Sequence, residues 1–330
     1  MIKISLIGAT GNVGRSVAEM LLSKKIVTKA NLHLFASTKS VGQILYVNDE
    51  LLEVKDAAKA DFTQCRICIC NTESEVSERY VPMALQAGAY VVDSSSQYRL
   101  VDNVPLIVPP VNKSLINLSD KLYTHANCLA SPIAATIAPL HKHNKILHVN
   151  AVTYQSTSGA GKRASDECWN ETSAMINGKS YTRQYFKRQI AFNVIPQVGE
   201  IMDNGMTYEE FKIINELKKV VDNGINITAT TVRVPVMVGH SIALSLQFTK
   251  TIEPTEVEEI LNEAPSVNCM RKDYMTPIEV VDKDDVFVGR IRKDYSAQNG
   301  IHLWLCSDNL RRGAATDSVE IVEEIVKMLS

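Results

Sequence analysis

Apolar residues first gather over positions 3–7, a run that breaks at once into Gly8-Ala9-Thr10-Gly11-Asn12-Val13-Gly14. Helical spacing follows through 16–22, and a second apolar run occupies 32–36. Further short runs at 51–54, 65–70, 90–93 and 106–108 predict strands, with helical spacing between several of them. Strands alternating with helices predict an α/β domain built on a doubly wound, Rossmann-type parallel sheet.

Past Tyr123 the texture changes. Ser131-Pro132 opens a predicted helix that runs on through 133–142, with Ser131 as N-cap and Pro132 at the first helical position. Longer apolar stretches at 146–152, 225–236 and 241–250 predict strands of a mixed or antiparallel sheet, covered by helices over about 208–221 and 255–262. At the end, Val319, Ile321, Val322, Ile325, Val326 and Leu329 recur at helical spacing. The expected organisation is a nucleotide-binding domain over 1–125 and an α+β domain with a mixed sheet over 126–308. A helix over about 309–330 is expected to return to the first domain. No repeat, low-complexity tract or flexible linker interrupts this pattern.

The chain has 330 residues, enough for two cores. Its formal net charge of −2 offers no cationic excess for nucleic acid or an anionic membrane. No apolar run reaches the roughly 18 residues of a membrane span, and the first residues lack the form of a signal peptide. A cytoplasmic protein is expected. The seven cysteines are odd in number and scattered, which predicts free thiols. Cys65, Cys68 and Cys70 sit in a strand-like run with no histidine nearby, so they read as core residues and no metal is expected.

Two regions carry chemistry. Gly8, Gly11 and Gly14 stand between a strand and a helix, where glycine lets a backbone approach a pyrophosphate and the helix N-terminus supplies amide donors. Thr10, Asn12 and Val13 complete that turn. The second strand ends in Ser37, Thr38, Lys39 and Ser40 with no carboxylate before Asp49. Hydroxyls and a cation there favour the 2′-phosphate of NADP over the ribose hydroxyls of NAD, although Lys39 also fits an ordinary surface lysine. Cys128 follows Asn127 in a loop that leads into a helix, a setting that stabilises a thiolate but also suits a small buried hydrophobe. Gln155 ends a strand above a Ser-Gly-Ala-Gly turn. Arg233 and His240 lie seven positions apart on strand-like sequence, and Glu209 and Lys212 share one helix face. Arg99 adds a cation after a strand of the first domain. A structural ion pair between Arg233 and Glu209, and a strand-capping His240, are the competing readings.

Taken together these segments resemble the aspartate-semialdehyde dehydrogenase family along nearly the whole chain. The matching stretches, in order, are GATGNVG, SSSQYR, Asn127-Cys128, TYQSTSGAG, FNVIPQ, EEFK, TTVRVPV with GHS, VGRIR and SDNLRRGAA. The resemblance implies an NADP-dependent enzyme that interconverts aspartyl phosphate and aspartate semialdehyde, with phosphate, in aspartate-derived amino-acid biosynthesis. It implies that Cys128 is the nucleophile of a thioester, His240 the acid/base and Gln155 the residue orienting the intermediate. Arg233 would grip the substrate carboxylate, Glu209 its ammonium, and Arg99, Asn127 and Lys212 the phosphate. Asn309 would lie near the nicotinamide, and residues 126–308 would form a catalytic and dimerisation domain of a homodimer or homotetramer. The chain departs from the family around the nucleophile, where His-Ala-Asn-Cys-Leu-Ala replaces Asn-Pro-Asn-Cys-Ser-Thr, and at Pro109-Pro110, where a Glu often follows the first Pro. N-acetyl-glutamyl-phosphate reductase, glyceraldehyde-3-phosphate dehydrogenase and a catalytically silent nucleotide-binding homologue are the other readings. Retention of Cys128, Gln155, Arg233 and His240 together argues against the last.

Overall fold

The computed structural model describes residues 2–330. These fall into two compact units, one running to Asn127 and resuming with Gly313–Ser330, the other Cys128–Arg312. The junctions fall slightly later than the expected 125/126 and 308/309. Strand β8 (Leu122–His125) is the last strand of the first sheet in chain order, and the chain leaves that sheet only after it. The last helix, α8, is Thr316–Leu329, the stretch over which the apolar residues recur, and the segment that returns to the first unit begins at Gly313 rather than about 309. A π-helical turn at Arg311–Ala315 precedes it, with Gly313 at φ +76°.

The first unit holds an eight-stranded sheet ordered β3-β4-β2-β1-β5-β6-β8-β7. Its strands are β1 (Ile4–Ile7), β2 (Leu32–Ala36), β3 (Ile44–Val47), β4 (Glu50–Asp56), β5 (Ile67–Cys70), β6 (Tyr90–Asp93), β7 (Leu106–Ile107) and β8. All neighbours are parallel except β3 with β4. Side chains alternate across the pleat and so feed two cores. Ile4, Leu6, Ile67, Ile69 and Val92 pack on one side with Val17, Ala18 and Leu21 of α1 (Asn12–Ser23) and Val319, Val322 and Ile325 of α8. Ile7, Cys68, Cys70 and Val91 pack on the other with Tyr80, Val81 and Ala84 of α2 (Ser74–Gln86). Burying an aliphatic side chain of this size contributes about 1.5–3 kcal/mol. A four-residue helix, α3 (Pro109–Asn112), follows β7.

The second unit is built on a six-stranded mixed sheet ordered β10-β9-β11-β14-β13-β12. The strands are β9 (Ile146–Gln155), β10 (Asn226–Arg233), β11 (His240–Phe248), β12 (Val267–Met270), β13 (Val286–Asp294) and β14 (Gly300–Ser307). Helices α4 (Ala130–His143), α6 (Tyr208–Val220) and α7 (Pro254–Asn262) bury Ile133, Ile137, Ile213, Leu217, Val257 and Leu261. α5 (Lys162–Ile176) stands apart from that layer. The opposite sheet face is more open, with Tyr154 and Trp304 rings 5.7 Å apart. The start of α4 corrects the expected cap. The Ile133 amide already bonds the Leu129 carbonyl, so Leu129 is the N-cap and Ser131 and Pro132 lie inside the first turn. Proline is tolerated there because that amide has no helical partner to lose.

Candidate active site

In the second unit, strand register gathers three of the expected residues. β10 runs parallel to β9 with Arg233 opposite Gln155, and β11 runs antiparallel to β9 with Ser241 opposite Tyr154. Gln155, Arg233 and His240 therefore sit at one end of three adjacent strands, and all are buried. Ser156, which follows β9, ties two of them: its carbonyl accepts from Arg233 Nη1 at 2.5 Å, and its amide donates to His240 Nδ1 at 3.0 Å. Gly159 abuts both. A Cβ at Gly159 would lie 2.9 Å from His240 Nε2 and 3.3 Å from Arg233 Nη1.

Asn309, just past β14, holds this arrangement from below. Its Oδ1 accepts from the Ser156 and Ser158 hydroxyls at 3.0 and 3.2 Å and from the Gly239 amide at 2.9 Å. Its Nδ2 donates to Ser158 Oγ at 3.0 Å. In sequence Asn309 stood out as a cofactor residue; here its amide braces the strand ends. Neither Ser156 nor this bracing was read from the sequence, because the partners lie 84 and 153 positions apart.

α6 brings a carboxylate to the same end. Thr207 and Glu210 form a reciprocal capping box that fixes the first turn, and Glu210 also accepts from the Thr231 amide on β10 at 2.9 Å. Glu209 is thereby held where Gln155 Nε2 donates to it at 3.4 Å, and its other oxygen pairs with Lys212 at 2.6 Å. Burial pulls the Arg233 pKa down, while the nearby Glu209, Cys128 and Tyr185 oppose the shift. Half-buried Cys128 is thus within electrostatic reach of a guanidinium that stays charged. Arg233 also borders a cleft of about 440 Å³, whose lining includes Tyr185, Lys187, Arg188 and Gln197 and no carboxylate.

The cleft wall is pinned from α5. Glu167 accepts from the amides of Gln184, Tyr185 and Phe186 at 2.5, 2.7 and 2.8 Å. Glu171 accepts from Ile190 and Ala191 at 2.8 and 3.1 Å and pairs with Arg183 at 3.1 Å.

His240 is fully buried. Burial, reinforced by Arg233 and only partly offset by a hydrogen bond with the Gly239 backbone, pushes its pKa down to about 3. Its Nε2 is shielded from solvent and has no hydrogen-bond partner among the described residues.

In the first unit, Gly8 takes φ +83°, and any Cβ there would collide with the Asn71 carbonyl. A Cβ on Gly14 would collide with the Gly8 carbonyl, so the turn closes only with glycine at both places. Gly11 is the N-cap of α1 and offers no side chain to its first amides, which leaves those donors to an anion. Thr10, Asn12 and Val13 stand in and beside that turn. Ser37, Thr38 and Lys39 are exposed after β2, with Ser40 partly so. Register sets Asp56 of β4 beside Ala36, a carboxylate the sequence order concealed, but it caps the Ala58 amide at 3.0 Å. Arg99 and Asn127 are buried in this unit, and Arg99 Nη2 donates to the Ser94 carbonyl at 2.5 Å.

A glycine turn on a doubly wound sheet, with an arginine, a histidine and an amide gathered on the strand ends of a second, mixed-sheet unit, is the layout of a nucleotide-dependent dehydrogenase. Family models agree: residues 3–119 match the semialdehyde dehydrogenase NAD binding domain, and 137–312 the semialdehyde dehydrogenase dimerisation domain. The chain is 39% identical over 330 residues to aspartate-semialdehyde dehydrogenase of Rickettsia bellii, covering 98% of this chain and 97% of that one. It is 35% identical to the Bacillus subtilis aspartate-semialdehyde dehydrogenase, with the same coverage. The crystal structure of aspartate semialdehyde dehydrogenase II from Vibrio cholerae complexed with ASA superimposes with a TM-score of 0.95 at 34% identity, covering 99% of this chain and 98% of that one. The chain belongs to the aspartate-semialdehyde dehydrogenase family.

Proposed function

We propose that this enzyme catalyses the reversible, NADP-dependent reductive dephosphorylation of L-4-aspartyl phosphate to L-aspartate 4-semialdehyde through a thioester on Cys128, serving the aspartate-derived synthesis of lysine and diaminopimelate, threonine and methionine. The observation that carries this reading is the convergence of Gln155, Arg233, His240 and Glu209 at one end of the second sheet.

Cys128 attacks the carbonyl carbon, and Gln155 orients the sulfur and the intermediate. A thioester remains activated towards phosphate, which an ester on serine would be less. Arg233 offers a planar fork to the α-carboxylate. Glu209 is the counter-charge for a free α-ammonium, which favours an aspartyl substrate over an N-acylated one. Lys212 in the second unit, and Arg99 and Asn127 in the first, are each assigned to the phosphate by the family resemblance. Gly8, Thr10, Gly11, Asn12, Val13 and Gly14 would hold the pyrophosphate of NADP, Ser37, Thr38, Lys39 and Ser40 its 2′-phosphate, and Asn309 would stand near the nicotinamide. NADP held there would supply the hydride-transfer chemistry of the reaction. Phosphate is the second substrate of the oxidative direction. The open sheet face around Tyr154 and Trp304 supports a homodimer, or a tetramer made of two such pairs.

Cys128→Ala tests the mechanism. It should abolish turnover of aspartate semialdehyde with NADP and phosphate, while NADP still quenches intrinsic fluorescence on binding. Mass spectrometry of the native protein mixed with substrate and cofactor without phosphate should find an acyl group on Cys128. Near-normal turnover in the variant would overturn the reading.

A further inference from the structure

We propose that Lys187 and Arg188 set a specificity for charge: they draw the anionic acyl phosphate, and inorganic phosphate, into the cleft bordered by Arg233, and give the semialdehyde no such help. The inference rests on the function proposed above and adds two residues to the phosphate-bearing side of that reaction.

The cleft of about 440 Å³ has three cations in its lining, Lys187, Arg188 and Arg233, and no carboxylate. Arg233 is buried, whereas Lys187 and Arg188 are exposed, so positive charge extends from solvent to the site. Among the described residues no carboxylate pairs with either exposed cation, although Arg183 on the same segment is taken up by Glu171 at 3.1 Å. A single surface lysine is ordinarily just a solvated charge. Two adjacent cations in a concave lining of one sign act together, because walls of low dielectric concentrate their field in the water between them.

The charges also stand on a fixed support. Glu167 holds the amides of Gln184, Tyr185 and Phe186, and Glu171 those of Ile190 and Ala191, so the main chain is clamped on both sides of 187–188. Both carboxylates are buried and face main-chain donors, and neither lines the cleft.

The two organic substrates differ in the property this field acts on. Aspartyl phosphate carries an α-carboxylate, an α-ammonium and a phosphoryl group, for a net charge of about −1.5 to −2 at neutral pH. Aspartate semialdehyde keeps only the first two and is neutral overall. Across about 10 Å of water, one cation raises the capture of a dianion about two- to threefold at an ionic strength of about 10 mM, and about 1.5-fold at about 0.15 M. Two cations together are worth about fivefold at the lower salt and about twofold at the higher.

Reduction of aspartyl phosphate by NADPH in chloride buffer tests this, comparing the full-length protein with Lys187→Gln/Arg188→Gln. In the double variant kcat/KM should fall about fivefold at about 10 mM ionic strength and about twofold at about 0.15 M, with kcat unchanged. In the oxidative direction KM for inorganic phosphate should rise by a similar factor, while kcat/KM for aspartate semialdehyde at saturating phosphate holds at the parent value. The exchange Lys187→Arg/Arg188→Lys keeps both charges and should restore the parent behaviour. Lys187→Glu/Arg188→Glu should reverse the salt dependence, so that added chloride raises kcat/KM. Parent kcat/KM and salt dependence in the Gln pair, or an equal loss on the semialdehyde, would overturn the proposal. Failure of the proposed function looks different, since the native protein would then not reduce aspartyl phosphate at any salt concentration. Broadening of the 31P NMR signal of inorganic phosphate needs no acyl substrate and reads the cations even then. It should weaken in the Gln pair at low salt, and equal broadening by the two proteins would overturn the inference.

Discussion

Adding one methyl group at Gly159 separates positional demands from folding. In Gly159→Ala the new Cβ would stand 2.9 Å from His240 Nε2, about half an ångström inside the 3.4 Å at which ordinary contact begins, and 3.3 Å from Arg233 Nη1. The imidazole has little room to retreat, being fully buried and held by Ser156. Overpacking of this kind costs about 1–3 kcal/mol. Alanine offsets about 0.4–1 kcal/mol of that by restricting the unfolded chain, so the net loss of stability should stay below about 2.6 kcal/mol. Catalysis should suffer more. A displacement of about 1 Å is worth about 100-fold in rate, so half that distance predicts a fall in kcat/KM of roughly tenfold or more. The assay is steady-state NADPH formation from aspartate semialdehyde and phosphate, paired with denaturant unfolding of the same preparation. Wild-type kcat/KM in a stably folded variant would refute the claim that the imidazole is fixed against this glycine.

Other outcomes follow from the same geometry. Arg233→Lys should lose about 1.5–3 kcal/mol of transition-state binding, because an ammonium cannot form the paired bonds of a guanidinium; unchanged kcat/KM would make Arg233 a structural residue. Lys39→Asp should narrow or reverse a preference for NADP over NAD, and equal affinities in the unmodified protein would refute the cofactor assignment. Both buried histidines should erode stability in acid: burial, with Arg99, lowers the His125 pKa to about 4, and burial, with Arg233, lowers that of His240 to about 3. The unfolded chain takes up their protons near 6.5 and the folded chain does not, so their stabilisation is complete above about pH 6.5 and is lost as pH falls towards 4, at about 1.4 kcal/mol per pH unit for each group. Denaturant midpoints at about pH 7 and pH 5 should therefore differ less in His125→Asn than in the parent protein, and an equal difference would count against the buried neutral form.

The sheet of the first unit was legible because its central strands are short, apolar and separated by helical spacing. β3 escaped notice because it is an edge strand with Ile44 and Tyr46 exposed, and edge strands lack the buried run that marks a central one. β13 was visible only as its VGRIR fragment, since Arg290, Arg292, Lys293 and Asp294 break its apolar run, and β14 was not read as a strand. Gln155 stood out at a strand end, and Arg233 and His240 through their chemistry on strand-like sequence and the family resemblance. Ser156 did not, because what distinguishes it is an amide direction, and every residue has an amide. The start of α4 was misread for a related reason: Ser-Pro is a good cap signal, yet the Leu129 carbonyl takes the first helical bond.

Glu167 and Glu171 spend their oxygens on five main-chain amides of the segment that walls the cleft. That stretch contains neither helix nor strand, so its order is lent by two side chains on a neighbouring helix. Substitutions at its solvent-facing side chains leave those bonds intact, since the bonds use only main-chain atoms. The helix positions have no such freedom, because shortening either carboxylate by one methylene withdraws several bonds at once. Amide exchange should register this as a single cooperative opening, with Gln184, Tyr185 and Phe186 losing protection in step, well below the free energy that unfolds the sheet behind them.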